Sequence, residues 1–247
     1  MLDANGNIPF IDVETTGLNA QDDHLLEIAV IVTDSQLNVL DEEGFHAIVY
    51  YDEKTTKEMH YHASRVVQDM HNKTGLWEKL YGPESMKLAV IDLNLRAYLA
   101  RFGDSQTMPV AGNSVRLDMN FIDAHLPMTS EFLHYQMRDV TTVAKLAQAW
   151  YPDLPEYEKL SDHTAMVDIK ESIRELKHYR EVAFRKVSET DLRAKLNQVL
   201  IEYGMGGEFV VDAFELHSWR CYYPDIYEPC DHVKRLLDDM VKAIEAG

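Results

Sequence analysis

The chain of 247 residues is 46% apolar, with 11 glycines and 8 prolines. That composition supports one well-cored domain plus an accessory segment and excludes a disordered or fibrous chain. Its 24 Lys and Arg stand against 42 Asp and Glu, a net charge of −18, so a protein that wraps a long duplex by neutralising phosphates is excluded and polyanions would be met through bound cations.

A short strand is predicted over 8–13, with Pro9 near its start, followed by the turn at 15–17. Strands over 27–33 and 39–50 continue an antiparallel meander. Helical spacing takes over at 85–102, where Met86, Ala89, Leu93, Ala97 and Tyr98 recur and Gly103 marks the stop. Residues 109–112 read as a buried strand, 117–125 as a helix, 134–140 as a short strand, 141–150 as a helix and 164–186 as a long helix. Strands first, then strands alternating with helices, imply an α/β fold with a mixed sheet flanked by helices. The pattern changes after about residue 181, which predicts one main domain over 1–181 and a small, mostly helical accessory module over 182–247. No apolar run approaches a membrane span, the N-terminus lacks the basic and apolar regions of a secretion signal, and two cysteines are too few for a disulfide framework. A cytoplasmic protein is expected.

Asp12 and Glu14 lie two apart in a strand of period two, so both carboxylates project from one face while Ile11 and Val13 turn the other way. Carboxylates held together raise one another's proton affinity, whereas a hard divalent cation such as Mg²⁺ or Mn²⁺ turns the pair into ligands. The string Asp12, Val13, Glu14, Thr15, Thr16, Gly17, Leu18 is followed down the chain by Gly112, Asn113, Ser114, Val115, Arg116, Leu117, Asp118. His163, Thr164, Ala165, Met166, Val167, Asp168 then opens the long helix. These ordered motifs resemble the DEDD exonuclease superfamily, in the subgroup whose third motif is His-x4-Asp. Within it the chain is most similar to oligoribonucleases, through 26–34, 70–76, His134 and Tyr135, Asp139 to Thr141, and 171–180.

The resemblance implies a ribonuclease H-like fold and a 3′-to-5′ exonuclease. Asp12, Glu14, Asp118 and Asp168 would hold two Mg²⁺ or Mn²⁺ ions, with His163 as general base. It implies that Thr15, Thr16 and Leu18 meet the terminal nucleotide, that Asn113 and Ser114 form the polar pair beside the second carboxylate, and that His71 helps cap a 5′ phosphate across a homodimer. By residue chemistry alone, Leu18 is equally a core residue and Asn113 and Ser114 a helix cap. Two positions depart from the oligoribonuclease pattern: Val66 stands where a stacking tryptophan is usual, and Gln136 where a phosphate-binding arginine is usual. Thr15-Thr16-Gly17 is the form seen in DNA proofreading exonucleases. The expected partners are short single-stranded RNA or DNA, with RNA preferred. Single-stranded DNA hydrolysis and an idle binding scaffold remain as alternatives. In the C-terminal module, His217, Cys221, Cys230 and His232 have zinc-binding chemistry, but their His-x3-Cys-x8-Cys-x-His spacing lacks a Cys-x2-Cys knuckle and favours ordinary packing over zinc.

Overall fold

The computed structural model describes residues 6–155, 157–158 and 164–184. The chain divides into two compact units, Met1–Phe184 and Arg185–Gly247, and every described residue belongs to the first. The module expected over 182–247, with its four candidate zinc ligands, therefore lies outside the described residues except at its first three positions.

Five strands form the sheet: β1 (Ile8–Thr15), β2 (Leu25–Thr33), β3 (Phe45–Ile48), β4 (Pro109–Gly112) and β5 (His134–Asp139). Their order is β3-β2-β1-β4-β5. The first three pair antiparallel, as a meander must, while β4 joins β1 and β5 joins β4 in parallel through helical crossovers. All nine residues of β2 are buried, the mark of a strand covered on both faces.

Among the described residues eight helices accompany the sheet: α1 (Glu53–His62), α2 (Arg65–Thr74), α3 (Leu76–Lys79), α4 (Leu88–Leu99), α5 (Arg116–His125), α6 (Pro127–Phe132), α7 (Val140–Trp150) and α8 (Ala165–Val182). On one face Ile11, Ile28, Val30 and Val32 pack against Ile91, Leu95 and Leu99 of α4 and against Phe121 and Ile122 of α5. On the other, Ile8, Phe10, Ala29 and Ile31 pack against Ile169 and Ile173 of α8. Each fully buried aliphatic or aromatic side chain contributes about 1.5–3 kcal/mol, so the two layers hold β1 firmly between them. Asp12 and Glu14 continue the alternation of Ile8 and Phe10, and so emerge on the α8 face.

The structure departs from the predicted elements in several places. The strand expected over 39–50 is only Phe45–Ile48, and Val39 makes an isolated bridge to Thr33, because the intervening turn contains Gly44 at φ 67°. The helix expected over 85–102 starts at Leu88 and ends at Leu99. Helices α1, α2, α3 and α6 have no counterpart among the predicted elements. α1 buries only Thr56 and Met59, and α2 only His71, so neither carries an apolar stripe. They are set by caps instead: Asp52 accepts from the Thr55 amide, Ser64 from the Val67 amide, and Gly75 closes α2 in the left-handed conformation at φ 66°.

Candidate active site

The centre lies at the C-terminal half of β1. Asp12, Glu14 and Asp168 each bring a carboxylate oxygen within 4.8 Å of the others. Asp168 reaches them from the first turn of α8, where its own amide bonds to the Thr164 carbonyl at 3.0 Å. Asp118, in the first turn of α5, stands outside that group of three. One of its oxygens accepts the Val13 amide at 3.0 Å, at a point where β1 has run past its only register partner on β4. The four carboxylates expected to act together are thus three in mutual reach and one that fastens α5 to β1.

The electrostatics are those of a cluster built for cations. Burial, then the charges of Asp118, Glu14, Asp168 and Glu27, push the Asp12 carboxyl well above the usual range. Burial and the same kind of crowding, led by Glu27, push Glu14 up to about 8. Burial raises Asp118 to about 7, with Asp139 adding to it, against the lowering effect of the Val13 hydrogen bond. Oxygen donors in this density suit hard divalent cations, and a bound cation would reverse each of these shifts. Asp12, Glu14 and Asp168 fit such an ion by donor type and by separation.

The loop after β1 is held by its own hydroxyls. Thr15 Oγ1 donates to the Gly17 carbonyl at 2.6 Å, and Thr16 Oγ1 donates to Asp23 Oδ1 at 3.2 Å while accepting from the His24 amide at 2.9 Å. A side chain on Gly17 would lie 2.4 Å from Asp23 Oδ2, so anything larger than glycine would displace that carboxylate. Leu18, at the tip, is 78% exposed and is not a core residue.

Asn113 is tied into the framework: its Nδ2 donates to Ser172 Oγ at 2.9 Å and to Glu175 Oε2 at 3.0 Å, and its Oδ1 accepts from Thr141 Oγ1 at 3.1 Å. Ser114 is exposed, sits at φ 53° and touches Thr141 Oγ1 at 3.3 Å. Neither residue caps α5, which has no side-chain cap bond. The helix start is held instead by Asp139, whose Oδ2 accepts the Val115 amide at 2.9 Å while its Oδ1 caps α7 at Thr142. Asp139 was legible only as part of a matching stretch; its bridging role needs β5 beside β4.

His71, expected to help cap a 5′ phosphate across a homodimer, is buried beside Glu14. It is 1% exposed, its Nε2 donates to the Thr15 carbonyl at 3.0 Å, and its Nδ1 lies 3.9 Å from Glu14 Oε2. Burial lowers its proton affinity. Val66 is exposed on α2 and Gln136 is exposed on β5. His163 lies outside the described residues. Two residues beside the centre went unnoticed in the sequence: Glu27, opposite Glu14 on β2, and His46, whose Nε2 donates to Glu27 Oε1 at 2.5 Å. Nothing in the local sequence pairs them.

Comparison with known proteins agrees with this architecture. The family described as Exonuclease matches residues 10–176. A probable oligoribonuclease of Schizosaccharomyces pombe (strain 972 / ATCC 24843) is 38% identical over 172 residues, covering 69% of this chain and 66% of its own length. The oligoribonuclease of Rhodococcus jostii (strain RHA1) is 39% identical over 178 residues, covering 71% of this chain and 86% of its own. Among solved structures, exonuclease I from Methylocaldum szegediense superposes with a TM-score of 0.57 at 17% identity, over 73% of this chain and 41% of that one. E. coli exonuclease I in complex with a 5cy-dT13 oligonucleotide gives 0.55 at 16% identity, over 81% and 45%. The chain spans less than half the length of these two exonuclease I chains, and at such identity the likeness shows the fold: the expected ribonuclease H-like mixed sheet flanked by helices. With the family matched over most of its length and oligoribonucleases among its relatives, the chain belongs to the exonuclease family.

Proposed function

We propose that the protein is a two-metal-dependent 3′-to-5′ exonuclease that hydrolyses short single-stranded oligonucleotides, RNA in preference to DNA, to nucleoside 5′-monophosphates. The observation that carries this reading is the convergence of Asp12, Glu14 and Asp168 oxygens within 4.8 Å on one face of the sheet. Asp12, Glu14 and Asp168 would hold the cations, Mg²⁺ or Mn²⁺, with Asp118 alongside. When bound, such ions neutralise charge developing on the phosphate and make water a better nucleophile. The water oxygen bonds to phosphorus, the phosphorus–O3′ bond breaks, and O3′ takes a proton from solvent, leaving the shortened strand with a 3′ hydroxyl. His163, five residues before Asp168, takes the proton from the attacking water.

Several residues favour a short substrate. The exposed Leu18 offers an apolar face to a terminal base, and the chain's charge of −18 gains nothing from tracking a long phosphate backbone. The resemblance to oligoribonucleases supports a homodimer, and the composition supports a cytoplasmic setting; among the described residues no helix is long and apolar enough to cross a membrane. The residues after 181 are proposed as an accessory module.

A time course on 5′-labelled RNA and DNA dinucleotides, heptamers and twenty-mers in Mn²⁺ tests the reading, with Asp12→Asn and Asp168→Asn beside the wild type. Rapid cleavage of RNA dinucleotides, reduced at least about a thousandfold in both variants, is expected, since electrostatic stabilisation of this kind is commonly the largest part of catalysis. Trimming of long DNA that leaves dinucleotides intact would instead establish a DNA-directed exonuclease. No hydrolysis of any substrate would make the chain a binding scaffold.

A further inference from the structure

The pairing of β1 with β2 breaks at one place: Glu14 faces Glu27, but Thr15 faces Leu25, so the ladder slips by one residue between Glu14 and Thr15. A slip of this kind releases a backbone group that must find another partner. The Thr15 carbonyl finds it in His71, two turns into α2, whose Nε2 donates at 3.0 Å. A carbonyl only accepts, so Nε2 carries the hydrogen, and in the neutral ring Nδ1 presents a lone pair. Nδ1 lies 3.9 Å from Glu14 Oε2, beyond hydrogen-bond reach, and has no hydrogen-bond partner among the described residues. The ring cannot swing to change this, for it is 1% exposed and the edge of Trp77 lies against it at 5.4 Å between centroids.

We infer that His71 is a positioning residue of the carboxylate centre: through its Nε2 hydrogen bond it fixes the Thr15 carbonyl at the ladder break, next to Glu14 in the chain, and so holds the end of β1 that carries that carboxylate. This assignment rests on the proposed metal-dependent function and differs from the 5′-phosphate cap that the sequence resemblance implies for the same residue.

The full-length wild type tests the hydrogen bond directly. Imidazole ¹⁵N resonances of metal-free protein should show Nε2 of His71 carrying a hydrogen; an Nε2 without one overturns the inference. That measurement needs neither hydrolysis nor a folded variant, so it stands apart from the success of the proposed activity. Titration calorimetry with Mn²⁺ and steady-state kinetics on RNA dinucleotides with and without a 5′ phosphate then compare wild type, His71→Phe and His71→Gln. His71→Phe should weaken Mn²⁺ binding roughly 10-fold or more and lower kcat, because groups that orient metal ligands commonly contribute that much. His71→Gln, which keeps a donor for the Thr15 carbonyl, should recover a large part of the loss. Unchanged Mn²⁺ binding in His71→Phe, with KM raised for the 5′-phosphorylated dinucleotide alone, would return His71 to phosphate capping.

Discussion

Glu14 and Glu27 face one another as direct cross-strand partners on β1 and β2, and both are buried. Like charges so placed destabilise a sheet. His46 answers the charge of Glu27 from β3, whereas among the described residues no basic group comes within hydrogen-bond reach of Glu14, whose carboxyl is pushed up to about 8.

This arrangement makes the metal-free protein pH-sensitive in a defined direction. The folded state binds a proton at Glu14 more tightly than the unfolded chain does, and the same holds for Asp12 and for Asp118, raised to about 7. Stability is then fully present below the unfolded carboxylate values, near pH 4, and is lost as pH rises toward about 8. In EDTA the melting temperature should fall between pH 5 and pH 8, and saturating Mn²⁺ should remove much of the slope. Glu27→Gln, which deletes the leading charge on Glu14, should flatten the EDTA curve. A melting temperature that rises over this range in EDTA would refute the account.

Gly17 lies under the carboxylate that organises the loop. In Gly17→Ala the new methyl would meet Asp23 at 2.4 Å and push it from Thr16 Oγ1 and from the Asn19 amide. The expected cost is about 1–3 kcal/mol, as for other overpacked sites. Asp23→Ala removes the obstacle, so the two substitutions should combine to less than their sum in a denaturant double-mutant cycle. Additive effects would mean that the contact is not the cause.

Asp92 governs a helix rather than the chemistry. Buried on α4, it accepts the Met128 amide at 2.9 Å and the Thr129 amide at 2.8 Å, and so caps α6. Asp92→Ala strands both donors and should lower stability by about 2–4 kcal/mol, against about 1 kcal/mol for Asp92→Asn. Urea midpoints read this, and the kcat of any protein that remains folded should be unchanged.

Leu18 gives the reverse pattern. A side chain 78% exposed contributes little to folding, so Leu18→Ala should leave stability within about 0.5 kcal/mol. If it meets a terminal base, KM for dinucleotides should rise about fivefold, the loss of roughly 1 kcal/mol of apolar contact. Unchanged KM would place the substrate elsewhere.

Much of this was legible along the chain, and for local reasons. The period of two in β1 put Asp12 and Glu14 on one face, and buried runs such as 109–112 declared themselves as strands. The α1–α3 segment did not, because its buried positions are Thr56, Met59, His71 and a few residues after Gly75, a pattern without apolar periodicity. His71 shows the limit most clearly. Its place in a matching motif marked it as functional, but its neighbours in space, Thr15 and Glu14, lie more than fifty residues away.

By itself, then, the sequence determined the mixed sheet, the strand that bears the first two carboxylates and the helix that bears Asp168, since alternation and helical period act within a few residues. The tertiary structure alone decided that three carboxylates converge within 4.8 Å, that Asp118 spends an oxygen on Val13, and that Glu27 opposes Glu14. Each of these depends on strand register and helix docking, which arise from burial of the two core layers, and a one-residue slip in β2 would send Glu27 to the opposite face.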